Sequence, residues 1–497
     1  MRKITWAGGG VAGEASHLSV QAFSSTEVMT TMQNGSGNLE LIGWLVDGDK
    51  VTRANNGTAT AGTVQEVALA LVGRRAVTAV RNGSNNLLLI SWNVPVGVTS
   101  IDRLHDSGTL AGEASQIAMT AIGGNMLVTA MRAGSGNLLL ISWALNADGS
   151  FTRLGDSAPP DQPAQAGAVS LVTVAFIGNY TVVTAVRNGS GNLELIAWKV
   201  STDGKIIHRQ DPSGTSAGAV SEIALIPFPG DPTSGGAPGV ITAVRNGSGN
   251  LEVIGWKVLE GGIGIARAGD TSTLPPSQVP GTASHIAIAP AGGATTYLAT
   301  MRRGSGDLEL IAFDLAANGG WSRVGDLVPE VGTDVTETAV APFYSRAVSA
   351  VRRANFLNLA IWDVSLTNTT GVQAADTAAL NQWFTSVLAD PTRARQLKGD
   401  WMKLLQAELA VTDRQKEHLS LVPAADAMEL QKAIAMVVDH GGTIHIERDS
   451  ERSPGVLVVQ PKKPGVETVD FSVGVFHCTF DANCRHWHCG WGPAKKK

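Results

Sequence analysis

From the N-terminus to about Ser365 the chain alternates short apolar stretches with turns rich in glycine and asparagine. In the stretch LELIGW, Leu39 and Leu41 fall on one face of an extended strand, while Ile42 and Trp44 fall on the other. A strand apolar on both faces needs cover on both sides. The same phrase returns seven times, as TMQNGSGNLELIGW from Thr31, TAVRNGSNNLLLISW from Thr78, TAMRAGSGNLLLISW from Thr129, TAVRNGSGNLELIAW from Thr184, TAVRNGSGNLEVIGW from Thr242, ATMRRGSGDLELIAF from Ala299 and a degenerate SAVRRANFLNLAIW from Ser349. A period of about fifty residues marks stacked or radial units.

Each unit predicts four strands. A lead-in such as AGEASHLSV (Ala12–Val20) is the first, and the second ends in TAVR. The turn NGSGN supplies the positive-φ positions that a tight hairpin needs, and LELIGW follows as the third strand. Asp47-Gly48, Asp148-Gly149, Asp203-Gly204 and Asn318-Gly319 then turn the chain into a fourth. The seventh unit, from about Val335 to Val364, lacks a fourth strand, whereas Lys3–Ser16 reads as a fourth strand running into a lead-in. Pairing the two ends closes a ring and removes its exposed edges. The expectation is an all-β seven-bladed β-propeller over residues 1–365, its last blade closed by the N-terminal strand; an open solenoid is the competing arrangement.

Composition fits this arrangement. Only 16% of residues are charged and 57 of 497 are glycine, as tightly turned, buried strands require and as coiled coil or disorder does not. A net charge of −5 offers no basic field for nucleic acid. No apolar run is long enough for a membrane span, and MRKITWAGGG lacks the apolar centre of a signal peptide. The expected location is therefore cytoplasmic, or exported without a classical signal peptide.

Polar residues recur near the NGSGN turns. Arg81, Arg132, Arg187, Arg245, Arg302 and Arg352, with Gln33 in the first unit, precede the turn, and Asn82, Asn188 and Asn246 open it. Near the end of the fourth strand, Arg103, Arg153, Arg267 and Arg323 each precede an acid by three positions: Asp106, Asp156, Asp270 and Asp326. One rim thus carries guanidinium, amide and carboxylate groups. They serve either as struts, each Arg holding a turn or pairing with an acid of the next blade, or as repeated polar pockets for sugar hydroxyls, gaining by avidity. Glu40, Glu194, Glu252 and Glu309 alternate with Leu88 and Leu139, so an acid at that position is not required in every unit. The closing Trp residues are core between blades or platforms for a sugar ring. No Ser–His–Asp set, carboxylate pair or phosphate loop stands out, and His17, His105, His208 and His285 are scattered, so neither a catalytic residue nor a cofactor is expected in this region.

With its seven short repeats, Gly-Asn turns and recurring aromatic, the chain resembles the seven-bladed propeller lectins of fungi and bacteria over about residues 1–365. The resemblance implies non-enzymatic, multivalent carbohydrate binding; it carries over no individual binding residue. The alternative is a protein-interaction scaffold, with the rim contacting a protein partner instead of glycans.

Past Ser365 the repeat stops. Residues 366–377 read as a linker, 378–470 as a smaller α+β accessory domain and 471–497 as a Cys/His-rich tail. Helices are expected from Asp376 to Asp390 and over Thr392–Leu409, the latter with Leu397, Trp401, Leu404 and Leu405 on one face; Thr412-Asp413 caps a third and Ala424–His440 gives a fourth. Strands are expected at Thr443–Arg448 and Gly455–Gln460. The run LADPTRARQL from Leu388 to Leu397 is similar to nitrile-hydratase-like leader domains, and fits an ordinary helical domain equally. All three cysteines, Cys478, Cys484 and Cys489, lie among His477, His486 and His488. Thiolate and imidazole suit zinc. A disulfide with one free thiol, a modified peptide tail and a plain solvated tail remain open beside it.

Overall fold

The structure is a computed structural model that describes residues 2–158, 166–212, 218–228, 238–259, 264–291, 295–316, 319–329, 333–343, 346–366, 374–408, 434–435, 437–439, 442–447, 456–461, 470–473, 476–481 and 486–491. The chain divides into two compact units, Met1–Ala291 with Thr295–Val364, and Ser365–Lys497 with Gly292–Ala294.

Four blades of the first unit are separate four-stranded antiparallel sheets. The third blade contains Ala114–Gly123, Met126–Ala133, Leu138–Leu145 and Phe151–Asp156; the fourth, fifth and sixth begin at Val169, Val220 and Ala283. The other three blades form one ten-stranded sheet, because two strands of 23 residues serve two blades each. Lys50–Val72 pairs with Asn38–Asp47 as the fourth strand of the first blade and, from Val64 onward, with Arg75–Asn82 as the first strand of the second. Arg2–Ser24 lies beside Phe356–Leu366 of the seventh blade and, from Ala15, pairs with Glu27–Asn34. The first unit is thus a seven-bladed β-propeller closed by its own N-terminal strand. Each first strand packs on the first strand of the next blade all the way round.

Burial follows the repeat. The closing residues Trp44, Trp92, Trp143, Trp198, Trp256 and Trp362 are at most 2% exposed. Each indole Nε1–H donates to a hydroxyl on the second strand of its blade, Thr30, Thr78, Thr129, Thr184, Thr242 or Ser349, at 2.8–3.0 Å. In the sixth blade both partners change together: Phe313 replaces Trp, and Ala299 stands where the hydroxyl would be. These aromatics fill the core between blades.

Three devices join the blades. Each hairpin turn between strands two and three offers a carbonyl to the start of the next blade: Val169 N–H donates to Gly136 O at 3.0 Å, Val220 to Gly191 at 3.1 Å, and Ala15 to Asn355 at 2.8 Å, completing the circle. The accepting residue has positive φ, and Asn85 (64°) and Asn355 (72°) fill the place elsewhere held by glycine. On the opposite face the Asp-Gly turns reach back: Ser91 Oγ donates to Gly149 O at 2.6 Å, and Arg346 Nη1 to Gly48 O at 3.0 Å.

The third device is a carboxylate latch. The first strands of blades one, three and six carry a wide bulge with positive φ at His17, Gln116 and His285. The preceding blade then carries a glutamate that accepts the freed N–H groups. Glu337 accepts from His17 N at 2.9 Å and Leu18 N at 2.5 Å, Glu66 from Ile117 N at 3.0 Å, and Glu222 from Ile286 N at 3.1 Å. Where the first strand of the next blade has only a one-residue bulge, as between Val220 and Glu222 of the fifth, the preceding blade has Leu171 at the glutamate's place. Glu222→Ala strands a donor on Ile286, a residue 9% exposed, and is expected to lower unfolding free energy by about 1–3 kcal/mol in urea titrations. Leu171→Ala removes no such acceptor.

In the second unit, helices Ala374–Ala389 and Pro391–Glu408 are joined at Asp390, whose carboxylate accepts from Thr392 N at 2.8 Å and Arg393 N at 3.3 Å. The Asp-Pro pair is therefore an N-cap with proline in the first turn. Leu397 and Leu404 are buried, as the helical period requires. Residues 412–413 and most of Ala424–His440 lie outside the described residues; Ile434 and Val437 are helical and buried. A five-stranded antiparallel sheet follows, in the order Gly442–Glu447, Val456–Pro461, His486–Trp491, Phe476–Asp481, Asp470–Val473. The stretch expected as a separate tail thus supplies three of its strands: the two apolar strands before it would otherwise leave an unpaired edge. Helix Ala374–Ala389 packs on strand Gly442–Glu447. No helix among the described residues is long and apolar enough to cross a membrane.

Candidate functional site

The rim bearing the NGSGN turns holds two sets of arginines with opposite fates. Every fourth-strand arginine is ion-paired. Arg53 meets Glu40 at 3.1 Å, Arg103 meets Asp106 at 2.6 Å, Arg153 meets Asp156 at 2.6 Å, and Arg209 meets Glu194 at 3.2 Å. Arg267 bridges Glu252 and Asp270 at 2.6 and 2.7 Å, and Arg323 bridges Glu309 and Asp326 at 3.2 and 2.9 Å. Three of the aspartates give their other oxygen to a turn N–H: Asp106 to Gly108, Asp156 to Ala158 and Asp270 to Ser272, at 2.8–2.9 Å. Asp106, Asp156, Asp270 and Asp326 are thereby struts.

The asparagines are equally engaged. Asn82 Oδ1 accepts from Ser84 N and Asn86 N at 2.9 and 3.0 Å, and Asn188 and Asn246 repeat this within their own turns. The Nδ2 groups of Asn188 and Asn246 donate to Glu194 and Glu252 at 3.3 Å. An Asn–Glu–Arg chain therefore crosses the first, fourth and fifth blades. Where Leu88 or Leu139 replaces the glutamate, the fourth-strand arginine pairs with its aspartate, and Arg153 also donates from Nη1 to Leu110 O at 2.7 Å.

Strand-two arginines differ. Arg81 faces Glu66 at 3.8 Å. Among the described residues Arg132, Arg187, Arg245, Arg302 and Arg352 have no carboxylate within ion-pairing distance. Arg187 and Arg245 donate from Nη1 to Ser170 and Ser221 at 3.2 Å, and Arg352 from Nη2 to Asn355 at 2.9 Å. The Nε atoms of Arg81, Arg187, Arg245 and Arg352 are buried without an acceptor. Gln33 takes the same place in the first blade, accepting from Ser16 Oγ at 2.8 Å. Beside Asn246 a notch of about 180 Å³ opens between Gly218–Val220, Val244, Gly247, Ser248 and Glu252.

Two carboxylates in this network are displaced in opposite directions. Burial pushes Asp270 upward, but hydrogen bonds from Ser272 and the charge of Arg267 outweigh it and hold the group below its ordinary value. Burial of Glu309 prevails over Arg303 and Arg323 and raises it. Ionised Asp270 thus stabilises the fold above the ordinary carboxylate range, and that contribution is lost as pH falls through its lowered value. The contribution of Glu309 is present at low pH and lost as pH rises through its raised value. In urea midpoints measured across the acid range, Asp270→Asn is expected to fall below wild type at neutral pH and to converge with it in acid. Glu309→Gln gains on wild type as pH rises.

Of the Cys/His residues, backbone register sets Cys478 opposite Cys489, His488 opposite Thr479, His477 opposite Gly490 and His486 opposite Asp481. Cys484 lies outside the described residues. The latch glutamates and the serine-to-turn bonds were not singled out from sequence. Their signal is present in the lead-ins, which split into ASHL, ASQI and ASHI against VQEV, VSEI and VTET.

No family model matches the chain, and no curated protein matches it. Similar solved structures include the SapL1 lectin in complex with alpha methyl fucoside, at 13% identity and TM-score 0.42, covering 64% of this chain and 99% of that one. A Lactobacillus plantarum protein aligns at 13% identity and TM-score 0.44, covering 69% and 96%. The outer coat vertex of COPII on membranes aligns at 12% identity and TM-score 0.47, covering 73% and 87%.

Proposed function

We propose that the propeller is a non-enzymatic, multivalent carbohydrate-binding ring whose ligand donors are the strand-two arginines. The observation that carries this reading is the division of the rim: fourth-strand arginines are neutralised by acids, while Arg132, Arg187, Arg245, Arg302 and Arg352 keep uncompensated guanidinium groups at equivalent positions. A planar fork of N–H donors suits adjacent sugar hydroxyls or a uronate carboxylate. Weak sites repeated on a rigid ring add through effective concentration.

A glycan array carrying neutral and acidic sugars, followed by calorimetry, tests this. Binding is expected to fall at least ~10-fold in avidity when Arg187 and Arg245 are both changed to Ala, since each lost site weakens the multivalent contact. No binding at millimolar sugar rejects the proposal. A stoichiometric protein that co-purifies, and is released by the same pair of substitutions, supports the scaffold reading instead.

A further inference from the structure

The C-terminal sheet sorts its cysteines from its histidines. Successive strand positions alternate between faces. Counting from the register pairs, Cys478 and Cys489 share one face, while His477, His486 and His488 occupy the other. The five described Cys and His residues therefore do not share one face of the sheet. On the cysteine face the nearest register positions are Leu457, Phe471, Phe476, Phe480, Trp487 and Trp491. None of these is a metal ligand, so among the described residues in register the face offers two sulfurs where a structural zinc site needs four donors.

The two cysteines are direct cross-strand partners. Residues directly opposite in an antiparallel pair have Cα atoms about 4.5–5.5 Å apart, inside the ~4.4–6.8 Å span that a disulfide bridges. Their rung is also interior. Cys489 pairs with Leu457 on its far side, and Cys478 with Phe471 on its own. Ladders on both flanks hold the two backbones in place.

We propose that Cys478 and Cys489 form a cross-strand disulfide, leaving Cys484 as the free thiol. The oxidant is a small-molecule disulfide such as glutathione disulfide. The thiolate of one cysteine attacks it and releases one glutathione; the second thiolate displaces the other glutathione from the mixed disulfide. Two thiol protons and two electrons leave the protein, the S–S bond forms, and two glutathione molecules are produced.

The full chain is equilibrated in an oxidised/reduced glutathione buffer, acid-quenched, alkylated with iodoacetamide and digested with trypsin. Cleavage after Arg485 separates the partners, so the bridge appears as two linked peptides, lighter by two hydrogens than the reduced pair. Fragmentation is expected to place the alkyl group on Cys484 alone, with Cys478 and Cys489 labelled only after reduction. Cys484→Ser keeps the link and Cys478→Ser abolishes it. Alkylation of all three cysteines in the oxidising buffer overturns the proposal, as does a bridge through Cys484. Bound zinc that protects the thiols until chelator is added overturns it too.

Discussion

Trp198→Ala is expected to destabilise the propeller by about 3–5 kcal/mol, the cost of emptying a well-packed aromatic site. Trp198 has no exposed surface and belongs to a core that joins Val128, Ala130 and Leu140 of the third blade to Val182, Val186 and Val200 of the fourth. The hole therefore opens between blades, where relaxation would have to move a whole sheet. Trp198→Phe separates packing from the polar contact. It removes the donor that Thr184 Oγ1 receives at 3.0 Å, so a buried hydroxyl loses a partner at a cost of about 1–3 kcal/mol. The sixth blade indicates the remedy, since Phe313 there takes the tryptophan's place and Ala299 the threonine's. Adding Thr184→Ala to Trp198→Phe is expected to cost less than the two single effects summed. Urea unfolding of the four proteins in a double-mutant cycle measures this coupling. Additive effects would mean the indole–hydroxyl bond contributes nothing beyond packing.

That paired exchange shows how much of the fold was legible. The apolar period, the turn residues and the missing fourth strand of the seventh repeat were enough to lay out blades and closure, because each is a local demand: φ > 0 at a turn, cover for a two-faced strand, a partner for an edge. What escaped needs two repeats compared at once. The change from Thr and Trp to Ala and Phe is visible in the sixth phrase, and so is the alternation of ASHI with VSEI lead-ins. Neither has meaning until adjacent blades are known to touch. At the N-terminus the run from fourth strand into lead-in was legible over Lys3–Ser16, but its counterpart Lys50–Val72 escaped: a segment that leaves one blade's outer edge and enters the next blade's first position without a turn carries no punctuation. The candidate site was legible only as a list of groups. Sequence placed Asp106, Asn188 and Arg245 on one rim, but their alignment within each repeat says nothing about which are neutralised. Arg–Asp pairs three apart and Asn–Ser–Asn turns are bonded locally; Arg187 and Arg245 stand apart because their partners are serines of the first strand.

Removing Arg2–Gly9 is expected to be the most damaging change to the ring. This segment carries Ile4, which packs with Leu298, Trp362 and Val364, and Ala7, which joins the core around Trp44 and Leu359. Losing its buried side chains and its ladder beside Phe356–Leu366 removes on the order of 5 kcal/mol or more. The closure then depends on the latch from Glu337 to His17 and Leu18, the Ala15–Asn355 bond and the Arg346–Gly48 contact. These tie the inner strands and turns together but leave the outer edge of the seventh blade bare. A bare strand whose neighbours Leu357, Leu359 and Ile361 are at most 2% exposed in the closed ring is a template for another chain. The truncated protein should therefore self-associate in size-exclusion chromatography and unfold at lower urea. A synthetic peptide of residues 2–9 added in trans should restore the monomer by strand addition. A truncated chain that stays monomeric with an unchanged midpoint would show that the inner ring alone holds the blades. The turn staples and glutamate latches would then be the true closure, and the N-terminal strand merely a cover.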